Sequence, residues 1–184
     1  ITDIALQDVV MGWDGTTLSD VSFLSDPSTA HTGSFKARYC TISNERAMFS
    51  NVDDNGSAFP HRLIGSQRGD YSIISVANRP SSSLNEGDAF FLIQPDYMYI
   101  NGMVQAFGQL VTSSKEGSMF KLTGTSAKDF AFDELHPRSG SSGDEAVAYV
   151  GNDIAYGRQG RIESLTSTDK FGAVGAKDNS LGIF

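Results

Sequence analysis

The stretch YVGNDIAYGRQGRIESL, Tyr149 to Leu165, decides how the rest of the chain is interpreted. Its apolar residues alternate loosely with polar ones, as they do in half-buried antiparallel strands. Gly151 and Gly160 interrupt the alternation nine residues apart, where hairpin turns need a positive φ that glycine adopts without Cβ strain. The pattern predicts three short strands joined by two tight turns.

The same pattern occurs upstream, in MVQAFGQLVTSSKEGSMFKLTG. Its two glycines, Gly108 and Gly117, are also nine residues apart, and each lies 43 residues before its counterpart in the first stretch. Four further positions match at this offset, which makes the stretch one copy of a repeat. They are Val104 with Val147, Phe107 with Val150, Leu122 with Leu165 and Thr123 with Thr166.

A third and weaker copy is predicted in ARYCTISNERAMFSNVDDNG, with a turn at Asn44–Glu45 between two strands and an Asp/Asn/Gly turn after them. It lies about twenty residues too far upstream for the same period. Between this copy and the next, YSIISV and AFFLIQ are strand candidates, and SSSLNEGD is a loop by composition.

A period of about 40–45 residues with three or four strands is the signature of propeller blades. We therefore predict an all-β fold of propeller-like stacked antiparallel blades, at about residues 36–100, 101–143 and 144–184. The alternative is a β-sandwich, because its strands also recur every 8–12 residues or so. Two clear units and one stretched unit are too few to close a ring, so we expect the chain to be part of a longer polypeptide. Its first residue, Ile1, and its strand-like last residues, NSLGIF, support the same expectation.

Residues 1–35 do not fit the period and stay an unassigned strand and loop segment. ITDIALQDVV is compatible with a helix or a strand, GWDGTT is a predicted turn, and DPSTAHTG is a predicted loop.

Composition limits the classes of function. The 184 residues, 39% hydrophobic and 20% charged, suit a folded domain with a sizeable core. No apolar run approaches the length of about 18 residues that a membrane helix needs, and no secretion leader is visible. The net charge of −8 argues against a broad basic nucleic-acid surface. Simple solubility is the favoured explanation of this charge, and the alternative is a passage through which DNA moves without sticking.

No catalytic or metal motif stands out. The histidines, His31, His61 and His136, have no His or Cys partner at metal-ligand spacing, so we expect them on the surface or in loops. Cys40 lies in the strand-like run KARYCTI and is predicted to be a buried thiol; pairing with a distant histidine is the less favoured alternative. We expect no enzymatic activity and no cofactor.

Three other patterns have simpler interpretations. Asn51, Asp53 and Asn55 resemble a calcium loop, but Arg62 occupies the position of its bidentate carboxylate, so a hairpin loop is favoured. The pairs Asp53–Asp54 and Asp144–Glu145 are adjacent in sequence, and strand neighbours point to opposite faces, which argues against a shared glycosidase site. SGSSGD, from Ser139, could be an anion-binding nest, but a flexible connection between two units is favoured.

The second half also resembles a known family, the tail nozzle proteins (tail tubular protein B) of short-tailed bacteriophages, in their propeller region. The resembling features occur in order: a strand pair at Gly102–Leu110, the KEGSMFKLTG run at Lys115–Gly124, and a Gly-rich crossing loop. They continue with VGNDIAYGRQGRIESL at Val150–Leu165 and DKFG to DNSLGI at Asp169–Ile183. The resemblance covers roughly residues 88–184, with weaker agreement over 37–66.

The resemblance implies a structural role in the virion tail. Such proteins form a homo-oligomeric, typically hexameric ring that lines the DNA exit channel, used in DNA ejection and in docking of an adaptor and tail fibres. It implies no sequence-specific DNA binding, no membrane span and no reaction. Two alternatives stay open: a carbohydrate- or protein-binding module that displays Trp13, Tyr97 or Tyr99 on one face, and, less favoured, a glycan hydrolase.

Overall fold

The structure is a computed structural model, and it describes residues 8–13, 16–26, 29–30, 35–74, 84–168 and 173–178. The described residues form β-strands and connecting turns, and no helix occurs among them. The predicted all-β class is therefore confirmed. The chain divides into two compact units, Ile1–Ile93 with Gly124–Phe130, and Gln94–Thr123 with Ala131–Phe184.

The first unit contains nine strands among its described residues. Five of them form one antiparallel sheet in the order β1-β6-β7-β8-β9, and the other four form two short hairpins, β2 with β3 and β4 with β5. Their bounds are β1 Asp8–Val9, β2 Met11–Trp13, β3 Leu18–Asp20, β4 Leu24–Asp26, β5 Thr29–Ala30, β6 Phe35–Ser43, β7 Arg46–Asp54, β8 Ser57–Gly65 and β9 Phe90–Ile93.

In the part that the structure describes, the second unit contains eight strands in two four-stranded antiparallel sheets. Each sheet is a simple meander, in which every strand pairs with the next one along the chain. The first has β10 Ile100–Ala106, β11 Gln109–Ser114, β12 Met119–Thr123 and β13 Ala131–His136; the second has β14 Val147–Val150, β15 Asp153–Arg158, β16 Arg161–Thr168 and β17 Ala173–Asp178.

The two meanders follow the 43-residue offset found in the sequence. β11, β12 and β13 begin 44, 42 and 42 residues before β15, β16 and β17, and β10 begins 47 residues before β14. The first strands of the two sheets, β10 and β14, are in contact, and so are the last strands, β13 and β17. The second sheet therefore lies against the first with its strands in matching order.

Each unit buries its own apolar cluster. In the first unit three phenylalanines, Phe23, Phe35 and Phe49, meet edge to face with ring centroids 5.0–5.6 Å apart. Val52, Ile64 and Ile74 complete this cluster and are fully buried. In the second unit, buried residues from both meanders form one cluster: Ala106, Val111, Met119, Ile154, Tyr156 and Leu165.

Two local predictions need correction. YSIISV was expected to be a strand, but over residues 71–74 it forms a turn with one isolated bridge at Ile73. The Asp70 carboxylate accepts hydrogen bonds from the Ser72 backbone N–H at 3.0 Å and from its hydroxyl at 2.6 Å, which folds the chain back. DPSTAHTG was expected to be a loop, but Thr29–Ala30 pairs with β4.

Candidate functional site

An exposed aromatic turn lies between β9 and β10, in the second unit. Tyr97, Met98 and Tyr99 expose 68%, 46% and 41% of their surface. Exposed Tyr and Met side chains are frequent at protein interfaces, and tyrosine rings also offer a face for stacking. Tyr97 and Tyr99 were predicted from the sequence as candidate binding residues, and the structure places them in one turn. The side chain of the third candidate, Trp13, lies outside the described residues.

A buried polar network holds this turn in place. Gln94, which is fully buried, donates to the Ser114 hydroxyl at 2.5 Å and accepts from the Thr112 hydroxyl at 2.7 Å. The Ser114 hydroxyl donates in turn to Asp96, whose other carboxylate oxygen accepts from the Met98 backbone N–H at 3.1 Å. Because every member is fixed by another, the turn is a rigid feature of the surface.

The crossing loop between the two meanders is anchored beside this network. Ser139, Gly140 and Ser141 are buried, so the prediction of a flexible connection is wrong. The Asn101 side chain donates to the Ser141 carbonyl at 2.8 Å, and the Ser141 backbone N–H donates to the Ser113 hydroxyl at 3.0 Å. The backbone N–H groups of Gly140 and Ser142 likewise donate to the Gly117 and Gly157 carbonyls, so these three consecutive N–H groups are not available to bind an anion.

A polar cleft of about 440 Å³ lies within the first unit. Three carboxylates and one guanidinium dominate its lining, and the other lining side chains carry an amide or a hydroxyl. The residues are Asn44, Glu45, Arg68, Glu86, Thr125, Ser126 and Asp129.

The charges of the cleft are paired in a definite way. The Arg68 Nε donates to Glu45 at 2.5 Å, and this hydrogen bond lowers the pKa of Glu45 and raises that of Arg68. Glu86 adds a second, more distant favourable charge to Arg68. The pKa of Asp129 is lowered first by the Ser126 hydroxyl and next by the Ser126 backbone N–H. Glu45 and Asp129 are therefore both ionised at neutral pH.

Arg46 holds the loop that contributes Glu86 to the cleft. It is 1% exposed, and its guanidinium donates to the backbone carbonyls of Ser66 at 2.5 Å, Asp88 at 2.7 Å and Glu86 at 2.7 Å, with a longer bond to Gly87 at 3.2 Å. Its charge also lies 5.6 and 5.7 Å from the ring centres of Phe90 and Phe130, which stack on each other. One buried cation thus fixes loops that are distant in sequence.

The four predicted turn glycines serve two different purposes. Gly108, Gly151 and Gly160 lie in hairpin turns with φ of 72°, 64° and 75°. Gly117 lies outside the left-handed region, and a Cβ there would come within 2.6 Å of an Asp96 carboxylate oxygen. Its small size therefore gives the supporting network of the aromatic turn room to pack.

The histidines contribute no metal site among the described residues, where no cluster of three potential ligands occurs. His61 is half-buried, and burial, followed by the charge of Arg62, lowers its pKa. His136 donates through Nδ1 to the Pro137 carbonyl at 2.9 Å. His31 lies outside the described residues.

The calcium-like loop is a hairpin turn. The Asp53 carboxylate is turned inward and accepts from the Gly56 backbone N–H at 2.8 Å, as in an Asx turn. Arg62, at the position of the missing carboxylate ligand, lies over the ring of Phe59 at 3.7 Å and that of Phe91 at 4.3 Å.

Cys40 is exposed, which contradicts the prediction of a buried thiol. Cys40 and Ile42 lie two residues apart on β6 and so share one face, and Ile42 is 52% exposed as well. Partial desolvation nevertheless raises the pKa of the thiol, which lowers its reactivity at neutral pH. The second carboxylate pair, Asp144 and Glu145, lies exposed in the loop before β14.

Sequence reasoning missed the cleft and the network below the aromatic turn. Arg46 begins β7, whereas Arg68, Glu86 and Asp129 come from turns, and no local motif connects these four residues. No protein-family model and no curated protein sequence matches the chain. Among the described residues, no helix has the length and hydropathy needed to cross a membrane.

Proposed function

We propose that this chain is a blade-built structural component of a bacteriophage virion tail, part of a nozzle or hub ring that lines the DNA exit channel. The observation that carries the proposal is the matched packing of the two meanders. Equal-rank strands meet, β10 with β14 and β13 with β17, and the strands recur at the offset of the sequence repeat. Blades arranged around an axis require this order, whereas the sheets of a sandwich have no need of it.

Exposed apolar residues on the second unit support an assembly. Val150 is 61% exposed, Ile162 51% and Tyr149 40%, and the Tyr149 ring meets Phe107 edge to face at 5.7 Å. Val150 and Phe107 are the repeat-related residues that precede the turn glycines. Apolar side chains at the tips of neighbouring hairpins are the kind of surface that a further copy or a tail partner covers.

A role without catalysis agrees with the chemistry of the cleft. A glycan hydrolase needs one carboxyl group with a raised pKa as general acid beside an ionised one. The pKa values of Glu45 and Asp129 are both shifted downward instead.

The proposal is tested by expressing the complete polypeptide that contains this chain and imaging it by electron microscopy. We expect closed rings of identical copies with a central channel, typically six. A monodisperse monomer at micromolar concentration that hydrolyses glycans would overturn the proposal.

A second candidate, a carbohydrate- or protein-binding module, is favoured by the exposed pair Tyr97 and Tyr99. Its test is the double substitution Tyr97→Ser, Tyr99→Ser, compared with Tyr71→Ser at another tyrosine, 48% exposed, in the first unit. If the module binds through the aromatic turn, only the double variant loses binding of intact host cells in a sedimentation assay. Equal binding by both variants would count against this candidate.

A further inference from the structure

We propose that the polar cleft of the first unit binds a neutral saccharide, through side chains at Asn44, Glu45, Arg68, Glu86, Ser126 and Asp129. The proposal concerns a site separate from the aromatic turn, and it depends on neither candidate function above. Its volume of about 440 Å³ falls within the range of about 300–1,000 Å³ that is usual for small-molecule sites.

The chemistry of the lining selects the class of ligand. Apolar ligands are disfavoured because, among the described residues, no aromatic or large aliphatic side chain lines the cleft. In the described lining, a phosphate or carboxylate ligand would meet the carboxylates of Glu45, Glu86 and Asp129 against one guanidinium, that of Arg68. A cationic ligand would meet Arg68, which already holds Glu45 at 2.5 Å.

A polyhydroxylated ligand uses both kinds of group. Each saccharide hydroxyl can donate one hydrogen bond and accept others, and the cleft offers acceptors on its carboxylates and donors on its guanidinium and amide. Hydrogen bonds to ionised groups are the stronger ones, so a neutral ligand gains from them without a repulsive charge of its own.

The cleft is built to hold its shape before a ligand arrives. Arg46 fixes the Glu86 carbonyl at 2.7 Å, and the Ala127 backbone N–H donates to that carbonyl at 3.2 Å. The Arg68 backbone N–H also donates to the Gly87 carbonyl at 2.9 Å, and the Gly69 backbone N–H donates to the Glu45 carbonyl at 2.9 Å. Little ordering is therefore needed on binding, which preserves affinity.

The test uses the whole chain labelled with ¹⁵N and titrated, at neutral pH, with maltose, lactose and N,N′-diacetylchitobiose. We expect at least one disaccharide to shift the backbone amide signals of Glu45, Arg68 and Ser126 with a dissociation constant of about 1 mM. Glu86→Ala removes a lining carboxylate but keeps the backbone carbonyl that Arg46 holds, and it should weaken binding about tenfold.

The matched control is Asp20→Ala, which removes an exposed carboxylate of the same unit outside the cleft and should leave the titration unchanged. Three outcomes would overturn the proposal. The first is that none of the three disaccharides shifts these signals at about 100 mM, a concentration that would nearly saturate a millimolar site. The second is that Glu86→Ala binds as well as the unsubstituted chain. The third is that inorganic phosphate or spermidine shifts the same signals while the disaccharides do not.

Discussion

Arg46 is a buried cation that has no carboxylate partner at hydrogen-bonding distance among the described residues. Its guanidinium donates hydrogen bonds to four backbone carbonyls and lies 5.6 and 5.7 Å from the centres of two phenylalanine rings. The carbonyls of Glu86 and Gly87 also accept from the backbone N–H groups of Ala127 and Arg68, so loss of the guanidinium would chiefly affect the acceptors of Ser66 and Asp88. Such acceptors cost about 1–3 kcal/mol each when they lose their partner.

We predict that Arg46→Met destabilises the chain by about 2–4 kcal/mol, because methionine fills the volume of the stem but donates no hydrogen bond. Urea unfolding measured by circular dichroism gives the free energy. The control is Arg68→Met, whose side chain is 57% exposed and forms a surface ion pair, so this substitution should destabilise the chain much less than Arg46→Met. Equal losses in the two variants would contradict the structural role of Arg46.

Asp129 gives the cleft a dependence on pH. Its pKa lies below the ordinary value of 3.8 because the Ser126 hydroxyl and the Ser126 and Thr125 backbone N–H groups donate to the ionised form. A depressed pKa in the folded state stabilises the turn above about pH 3.8, and this contribution is lost as the pH falls through the folded-state pKa.

We therefore predict that the amides of Thr125 and Ser126 lose protection from hydrogen exchange below about pH 4. Asp129→Asn should abolish this acid transition at both amides. Asp20→Asn, at an exposed carboxylate outside the turn, should leave it unchanged. Protection factors that are equal at pH 3 and pH 6 in the unsubstituted chain, after correction for the intrinsic pH dependence of amide exchange, would contradict the prediction.

At the scale of the strands, the sequence was informative wherever glycines and alternating residues recur. The turn glycines and matched apolar positions identified the strands β10–β12 and β14–β16, because a hairpin is set by neighbouring residues. The third pattern likewise identified β6, β7 and the turn at Asn44–Glu45. In this turn Asn44 and Glu45 have left-handed φ values of 52° and 58°, although neither residue is glycine.

The polar sites could not be predicted in the same way, because their partners lie far apart in the chain. Arg46 meets Glu86 forty residues later, and Asp129 reaches the first unit although it lies between β12 and β13. No local sequence pattern indicates such long-range contacts. Cys40 was misassigned for a related reason, since alternation within a strand defines two faces without saying which one is covered.

The contact between β10 and β14 yields a prediction about the elements themselves. A Cβ at Gly102 would lie 2.9 Å from Cγ2 of Val147, closer than real Cβ contacts. Gly102→Ala should therefore destabilise the second unit by about 1–3 kcal/mol through overpacking. Combining it with Val147→Ala should recover part of that loss, with a coupling energy of at least about 0.5 kcal/mol in chemical denaturation.

The control for this cycle is Gly87→Ala, where the added methyl group meets no atom within 4 Å and the backbone has no positive φ. It should change stability by about 0.5 kcal/mol or less. If Gly102→Ala and Val147→Ala proved additive, the two strands would not be coupled at this position.

At the scale of the whole molecule, charge is the property that connects the structure with the proposed channel. The chain carries 22 acidic and 14 basic residues, for a net charge of −8. Three arginines already interact with other groups of the chain. Arg46 donates to backbone carbonyls, Arg62 lies over two aromatic rings, and Arg68 pairs with Glu45 at the surface. These three guanidinium groups are thus poorly placed to form a phosphate-binding stripe.

We predict that the chain does not bind duplex DNA at physiological salt, with no saturable change in fluorescence anisotropy of a labelled duplex up to about 100 µM protein. The matched variant carries four lysines, through Asp20→Lys, Glu116→Lys, Asp144→Lys and Glu145→Lys, at exposed positions. Its formal charge is close to zero, and it should bind with an affinity that falls steeply as salt rises, because binding then releases counterions. Micromolar binding of the duplex by the unsubstituted chain would contradict the proposal that this chain lines a DNA channel. A channel lining that binds phosphates would slow the passage of the DNA.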